Sequence, residues 1–299
     1  MSSTGLRIRR PRHGEALPRR ARFLGELWRR PAGVFGLVVV ACLVLVVALA
    51  PSLAPYGEAQ QDIPNRLQAP TTRHLLGTDH LGRDLLSRVI FGTRIALEIA
   101  LPAVFGACLL GLVLGMIAGY LGGWVDSLVL VLLDTLQAFP TVLLILALLA
   151  LLGPSVQNVV IVIALTFAPG YARVARAQVL SVKEQPFVEV ERSLGAGDLR
   201  IALIHIVPNV LAPLLIKLAM DLPGAITIEA GLSFLGLGVK PPTPSWGIIL
   251  ADGFSRIRTS PWAVLWPCLI LMVTTLGFTL LGETLRDVLD PRLAGTRST

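Results

Sequence analysis

Charge is what this 299-residue chain has least of. Asp, Glu, Lys and Arg together make up 15% of it, where a soluble domain carries about a quarter. That deficit argues against a water-filled surroundings and for a bilayer. Lysine is almost missing: Lys183, Lys217 and Lys240 are the whole set, and none follows a glycine. The chain therefore has no G-x-x-x-x-G-K-[ST] loop to cradle the phosphates of ATP. It has no HExxH either. Cysteine is limited to Cys42, Cys108 and Cys268, each inside an apolar run and far from the others. No zinc or redox spacing results, and they read as small packing residues. Of the histidines, only His74 and His80 share a polar segment, and two isolated histidines fall short of a metal site. No catalytic set appears, no repeat suggests an inverted-repeat transporter, and no metal residues are assigned.

What is present is apolar. Such residues make up 54% of the chain, and the mean hydropathy is +0.73. A helical span takes about 20 mostly apolar residues. Positions 31–56 are uncharged and supply a first transmembrane helix. An Ala48-Leu49-Ala50 sequence near its end mimics a signal cleavage site, but Pro51 follows directly and the run is longer than a signal core of roughly 7–15 residues. It reads as a retained span. Residues 99–125 are uncharged and give span two. From Ser127 to Ala172 the only charged side chain is Asp134, and Gly153-Pro154 divides the run into spans three (128–152) and four (156–174). Span five covers 210–232 and holds Lys217, Asp221 and Glu229; span six lies within 259–282. Lipid admits no open sheet edge, so the fold class is all-α, with six transmembrane helices.

Nine arginines precede Pro31. They flank an apolar span rather than covering a folded polar surface, which speaks for a cytoplasmic tail over residues 1–30 and against nucleic acid. Six crossings return the tail 286–299 to the same side. Residues 57–95 then fall outside, ending in an amphipathic stretch from Leu81 to Ile95 that fits an interfacial helix. Residues 96–285 form a five-helix core, interrupted by a polar island at 185–209.

That island, QPFVEVERSLGAGDLRIALIHIVPN, is the most informative segment. It is too long and too structured to serve anchoring alone. A short helix from Pro186 to Leu194, ended by Gly195 at φ > 0, presents charges around Phe187 and Val190 and suits the groove of a soluble partner. An ordinary surface helix is the plainer alternative. Lys217 and Asp221 stand four apart and can pair within one helix. Glu229 is an intramembrane carboxylate, a functional candidate because its burial is costly. It precedes the glycine-rich run Gly231 to Gly238, too rich in glycine for a stable helix interior. Pro241-Pro242-Thr243-Pro244 follows. Glu229, Ser233, Phe234 and Trp246 are the candidates for the pathway or its outer mouth. Glu229 either faces the path or holds the glycine-rich run in place.

The island resembles the EAA loop of membrane subunits of ATP-binding-cassette importers. Glu189, Gly195 and Pro208 stand at that pattern's spacing, while Val190 and Glu191 replace its alanines. Other segments resemble the dipeptide, oligopeptide and nickel branch: Leu76 to Asp84 (LGTDHLGRD), Ala138-Phe139-Pro140, Gly231 to Gly238, Pro241 to Gly247, and Leu285 to Arg292. The resemblance spans residues 30 to 292. It implies a non-catalytic permease subunit in a bacterial or archaeal inner membrane, importing peptides or similar small solutes by alternating access. It implies a second, homologous permease, two cytoplasmic ATP-binding subunits or domains that bind the ATP and Mg, and an external substrate-binding protein. It assigns coupling to Phe187, Glu189, Glu191, Arg192, Gly195 and Pro208. The competing class is an ion-coupled secondary transporter, with Asp134, Glu229 or the Lys217–Asp221 pair as relay.

Overall fold

The structure, a computed structural model, describes residues 30–289. The basic tail expected at 1–30, Arg30 apart, and the C-terminal tail from 290 onward lie outside the described residues. Among the described residues there is no named strand, only one isolated bridge between Thr78 and Asp84.

Helix α1, Pro31–Leu53, begins on Pro31, whose missing N–H costs nothing in a first turn. A long connection containing one 3₁₀ turn, Ile63–Asn65, leads to α2, Leu85–Leu121. Asp84 caps α2 by accepting from the Ser87 N–H at 2.8 Å, as an N-cap carboxylate should. The interfacial helix expected at 81–95 is thus not a separate element. Leu85 onward is the start of one 37-residue helix, about 55 Å long, and its first turns are buried by neighbouring elements rather than laid on a lipid surface.

The expected third span is two helices. Helices α3, Gly123–Gln137, and α4, Thr141–Leu152, meet at 87°. Phe139-Pro140 explains the break: proline disfavours helical backbone in the residue before it, and Pro140 instead becomes the N-cap of α4. Helix α5, Val156–Lys183, is capped by Ser155. Helix α6, Pro186–Ser193, is short. Helix α7, Asp198–Phe234, includes a π-helical stretch Ile201–Ile206. Helices α8, Trp246–Phe254, and α9, Trp262–Leu289, complete the chain. Five helices are long and apolar enough to cross a membrane, and the bent α3–α4 pair makes a sixth.

Packing shows that the bent pair must cross. Helices α2 and α5 run parallel: a Cβ on Gly106 would meet Ala164, on Gly111 Tyr171, on Gly115 Ala172 and Ala175, and on Gly119 Val179. The chain leaves the foot of α2 at Leu121 and starts α5 at the opposite end, so α3 and α4 carry it back. Gly111, Gly115 and Gly119 repeat every four residues and let two backbones touch. A Cβ on Gly111 would stand 2.2 Å from that of Tyr171. Small residues make such close contacts in membranes, where lipid offers helices no hydrophobic drive to associate. Helices α1 and α9 use the same device in antiparallel sense, with Gly36 against the Gly277 backbone and Gly277 against Val39. Arg30 and Asp287 form an ion pair, so both ends of the described chain lie at one end of the bundle. The island lies there too, because Lys183 donates to the Tyr120 carbonyl at 2.8 Å and Tyr120 donates to Asp198 at 2.7 Å. The 54–84 connection and α8 occupy the other end.

Candidate functional site

At the island end, Pro186 starts α6 and Gly195 stops it. Gly195 has φ +83°. Its N–H donates to the Arg192 carbonyl, and the Ala196 N–H to the Glu191 carbonyl, both at 3.0 Å. This crossed pair satisfies the last carbonyls of the helix and requires the left-handed conformation that glycine supplies cheaply. One residue, Val188, anchors α6 in the core at 1% exposure. Phe187, Glu189, Val190 and Arg192 are exposed, as are Leu194, Leu199 and Leu203 beyond them. Glu191 is half-buried, with a carboxylate oxygen 3.6 Å from His205 Nε2, and the Phe187 ring tilts against the His205 ring at 6.3 Å. The island is therefore not a loop beyond Gly197. Its second half is the first part of α7, turning through the π-helical stretch. Pro208 sits just after that stretch. A proline ring clashes with the carbonyl four residues back, and a widened turn relieves such a clash. Arg176 pairs with Asp126, and Arg173 with Asp134, tying α3 to α5 beside this surface.

The other end holds a cluster that sequence reading did not assemble. Asp79 is buried with Arg83 Nε on its Oδ2 at 2.6 Å and with Arg88. Asp252, on α8, lies 3.3 Å from Arg83 and 3.5 Å from Arg88. Two acids thus face two bases. Burial alone would favour a neutral Asp79, but Arg88, Arg83 and the N–H groups of Arg83 and Leu81 outweigh it and hold the carboxyl below its usual range. His80 lies 3.9 Å from Asp252, and burial lowers its pKa against the pull of Asp252 and Asp79. Asp79, His80 and Asp252 converge closely enough to suggest a metal set. The guanidiniums already occupy both carboxylates, so a cation would have to displace them. Asp84, besides capping α2, meets His74 Nδ1 at 3.0 Å.

Glu229 lies at 0% exposure, accepting from Ser233 Oγ at 2.8 Å, and the same Ser233 oxygen accepts from the Val239 N–H at 3.3 Å. Between the two alternatives for Glu229, this geometry favours holding the glycine-rich run. The helix also runs further into that run than its glycines suggested: Gly231 to Phe234 is the last turn of α7, and Gly236, at φ +79°, ends it. Trp246 is not at an open mouth. It is fully buried, donates from Nε1 to the Val89 carbonyl at 3.1 Å, and fills the space left by Gly92. Of the four residues proposed for the mouth, only Phe234 is exposed, its ring edge-on to Phe254. Lys217 and Asp221 do pair, at 3.0 Å, with the ammonium 4.9 Å from the Tyr171 ring centre.

Residues 111–295 match the family described as binding-protein-dependent transport system inner membrane component. The chain belongs to that family. Residues 20–70 also match the N-terminal transmembrane domain of oligopeptide transport permease C. Among similar proteins are a dipeptide transport system permease protein of Alkalihalophilus pseudofirmus, 39% identical over 90% of this chain and 88% of its own length. A glutathione transport system permease protein of Escherichia coli is 40% identical over 90% of this chain and 91% of its own. Like other members of the family, this inner membrane component is the non-catalytic, membrane-spanning permease subunit of an ATP-driven importer. The ATPase is a separate subunit. The ion-coupled alternative falls with that assignment. Sequence reading missed the Asp79–Arg88–Asp252 cluster because its partners stand more than 160 residues apart. It also missed the Gly111–Gly115–Gly119 stripe, whose spacing of four was a usable signal.

Proposed function

We propose that this chain forms half of a translocation path for peptides or similar small solutes and that α6 is its coupling element. Its partners are a second, related permease, two ATP-binding subunits or domains that hold ATP and Mg on the cytoplasmic face, and a substrate-binding protein outside. The arginine-rich N-terminus supports placing the island end in the cytoplasm. Dipeptide and glutathione relatives support short peptides as the substrate class.

The observation that carries this reading is a rigidly mounted, outward-facing α6. Val188 pins it from below, Gly195 fixes its exit, and Phe187, with only the His205 ring against it, and Val190 stand exposed among charges. Apolar anchors ringed by charge are what a helix-in-groove contact uses. ATP closes the partner pair, α6 moves with its groove, and the spans rearrange. A ligand shifts such an equilibrium only by binding its two states unequally, and here ATP does so through the partner.

The test is ATP hydrolysis by the reconstituted complex with and without loaded binding protein. A Glu189→Lys, Gly195→Val double variant should insert and assemble yet lose both stimulation and uptake, since coupling is reciprocal. Full stimulation in that variant would show that α6 is not the coupling element. Orientation is checked separately: from outside intact cells, a thiol reagent should label Asp62→Cys and not Arg192→Cys.

A further inference from the structure

The π-helical stretch Ile201–Ile206 answers to burial as well as to Pro208. Ile201, Ile206, Val210 and Leu214 are all fully buried, at intervals of five, four and four residues. In an α-helix, side chains five residues apart point about 140° away from each other, so Ile201 would leave the core. A turn bonded from each N–H to the carbonyl five residues back returns the side chain to the same face. The Val207 N–H makes such a bond, to the Ala202 carbonyl. Pro208 has no N–H for the next one, and the Asn209 side chain donates to the His205 carbonyl at 2.7 Å. The turn thus carries a residue more than an α-helix would need and lacks a backbone hydrogen bond at its end.

The same turn is the seat of α6. Among the described elements, α6 packs chiefly against it, and Val188 shares a core cluster with Ile201 and Ile206. His205 turns toward α6, its ring tilted against that of Phe187 at 6.3 Å and its Nε2 3.6 Å from Glu191. Aromatic rings attract one another at such a spacing. Phe187 is also one of the exposed apolar anchors of α6, so the side chain that a groove would grip leans directly on α7. We infer that the π-helical turn is the joint through which α6 moves α7, and that His205 is the positioning residue linking the two. This rests on α6 being the coupling element. Coupling between distant sites needs an element with two arrangements that both sites bias. A helix with a surplus residue is such an element, because its wide turn can pass along the chain while the helix on either side stays intact. The hydrogen bond missing at Pro208 makes that shift cheaper.

The test uses the complete importer in liposomes and reads the ratio of ATP hydrolysis with loaded binding protein to that without it. His205→Ala removes the ring and should lower this ratio several-fold while the ATPase subunits still co-purify. His205→Phe keeps a ring against Phe187 and should restore most of the ratio, a rescue that a merely space-filling or charged role for His205 would not give. Deleting Leu203, an exposed residue within the turn, leaves Ile201 and Ile206 four apart, on one face of an ordinary α-helix. That variant keeps its core anchors but loses the joint, and its ratio should fall further than that of His205→Ala. Should the deletion fail to assemble, the two His205 variants decide. Full stimulation in His205→Ala, or equal loss in His205→Ala and His205→Phe, would overturn the link, and full stimulation in an assembled Leu203 deletion would overturn the joint. The Glu189→Lys, Gly195→Val variant, run alongside, separates the two levels. Stimulation lost there but kept in His205→Ala would leave α6 as the coupling element and remove only the relay, whereas stimulation kept in both would remove α6 and the relay with it.

Discussion

The segments Asp79–Arg88 and Phe187–Arg192 bear comparable charge in the sequence and are treated in opposite ways by the fold. At one end, each carboxylate meets a partner inside the chain: Asp79 the Arg88 and Arg83 guanidiniums, Asp252 that of Arg83, and Asp84 the His74 ring. At the other, Glu189 points outward, Arg192 reaches Asp198 only at 3.9 Å between two exposed side chains, Glu191 lies 3.6 Å from His205, and one valine holds the helix beneath them. The first arrangement is complete without help and welds the 54–84 connection to α8 and α2. The second is unfinished, with exposed apolar side chains that a stable surface would not need. A charged island is therefore evidence of a partner only when its apolar anchors stay exposed and its charges form no more than loose, solvent-exposed pairs at home.

The widest gap between the two ends should appear on removing Arg88. Arg88→Met leaves Asp79 and Asp252 short of a buried counter-charge, and breaking such a pair costs about 3–5 kcal/mol. Thermal unfolding of the purified complex should fall steeply and its yield with it; an unchanged transition would mean that water enters the cluster and that the contrast is false. Gly195→Val comes next. It forces a β-branched residue to φ +83°, a strain of about 1–2 kcal/mol confined to a surface helix end with open space around it. Unfolding should move little while stimulated ATP hydrolysis drops. A loss of stability matching that of Arg88→Met would show that α6 is part of the core.

Acid should separate the two ends again. The carboxyl of Asp79 is held below its ordinary value of about 3.9, so it binds fewer protons folded than unfolded. Its contribution is present in full above that value and is lost as pH falls from it toward the lower, folded pKa. Intrinsic fluorescence should report loosening of the loop end below about pH 3.9, with the step missing from Asp79→Asn. The smallest effect belongs to Glu189→Gln. An exposed carboxylate without an internal partner contributes almost nothing to stability, so unfolding should stay put while uptake declines. A measurable stability change would reveal an intramolecular role for Glu189 and narrow the contrast.

How far these features could be read in advance depended on their range along the chain. The six crossings followed from apolar run length, since bilayer thickness sets that length. The stop at Gly195 and the Lys217–Asp221 pair followed from offsets within one helix, where geometry is the same in every protein. The bend at Phe139-Pro140 was also local and could have been anticipated from the proline alone. The interfacial helix failed as an expectation because amphipathicity reports two faces and not what covers them: core and neighbouring helices, rather than lipid, bury the start of α2.

Trp246 and Glu229 were placed at an opening because their neighbours are glycines and prolines that forbid a simple span. Only packing against Val89 and Ser233 turns them into internal clasps. Asp252 could not be joined to Asp79 from the sequence, since no periodicity links positions that far apart. Composition, run length and backbone preference act over a few residues, so the amino-acid order alone settles spans, caps and breaks. Which charges neutralise one another, and which surfaces stay open for a partner, is decided by contacts that exist only when distant helices meet.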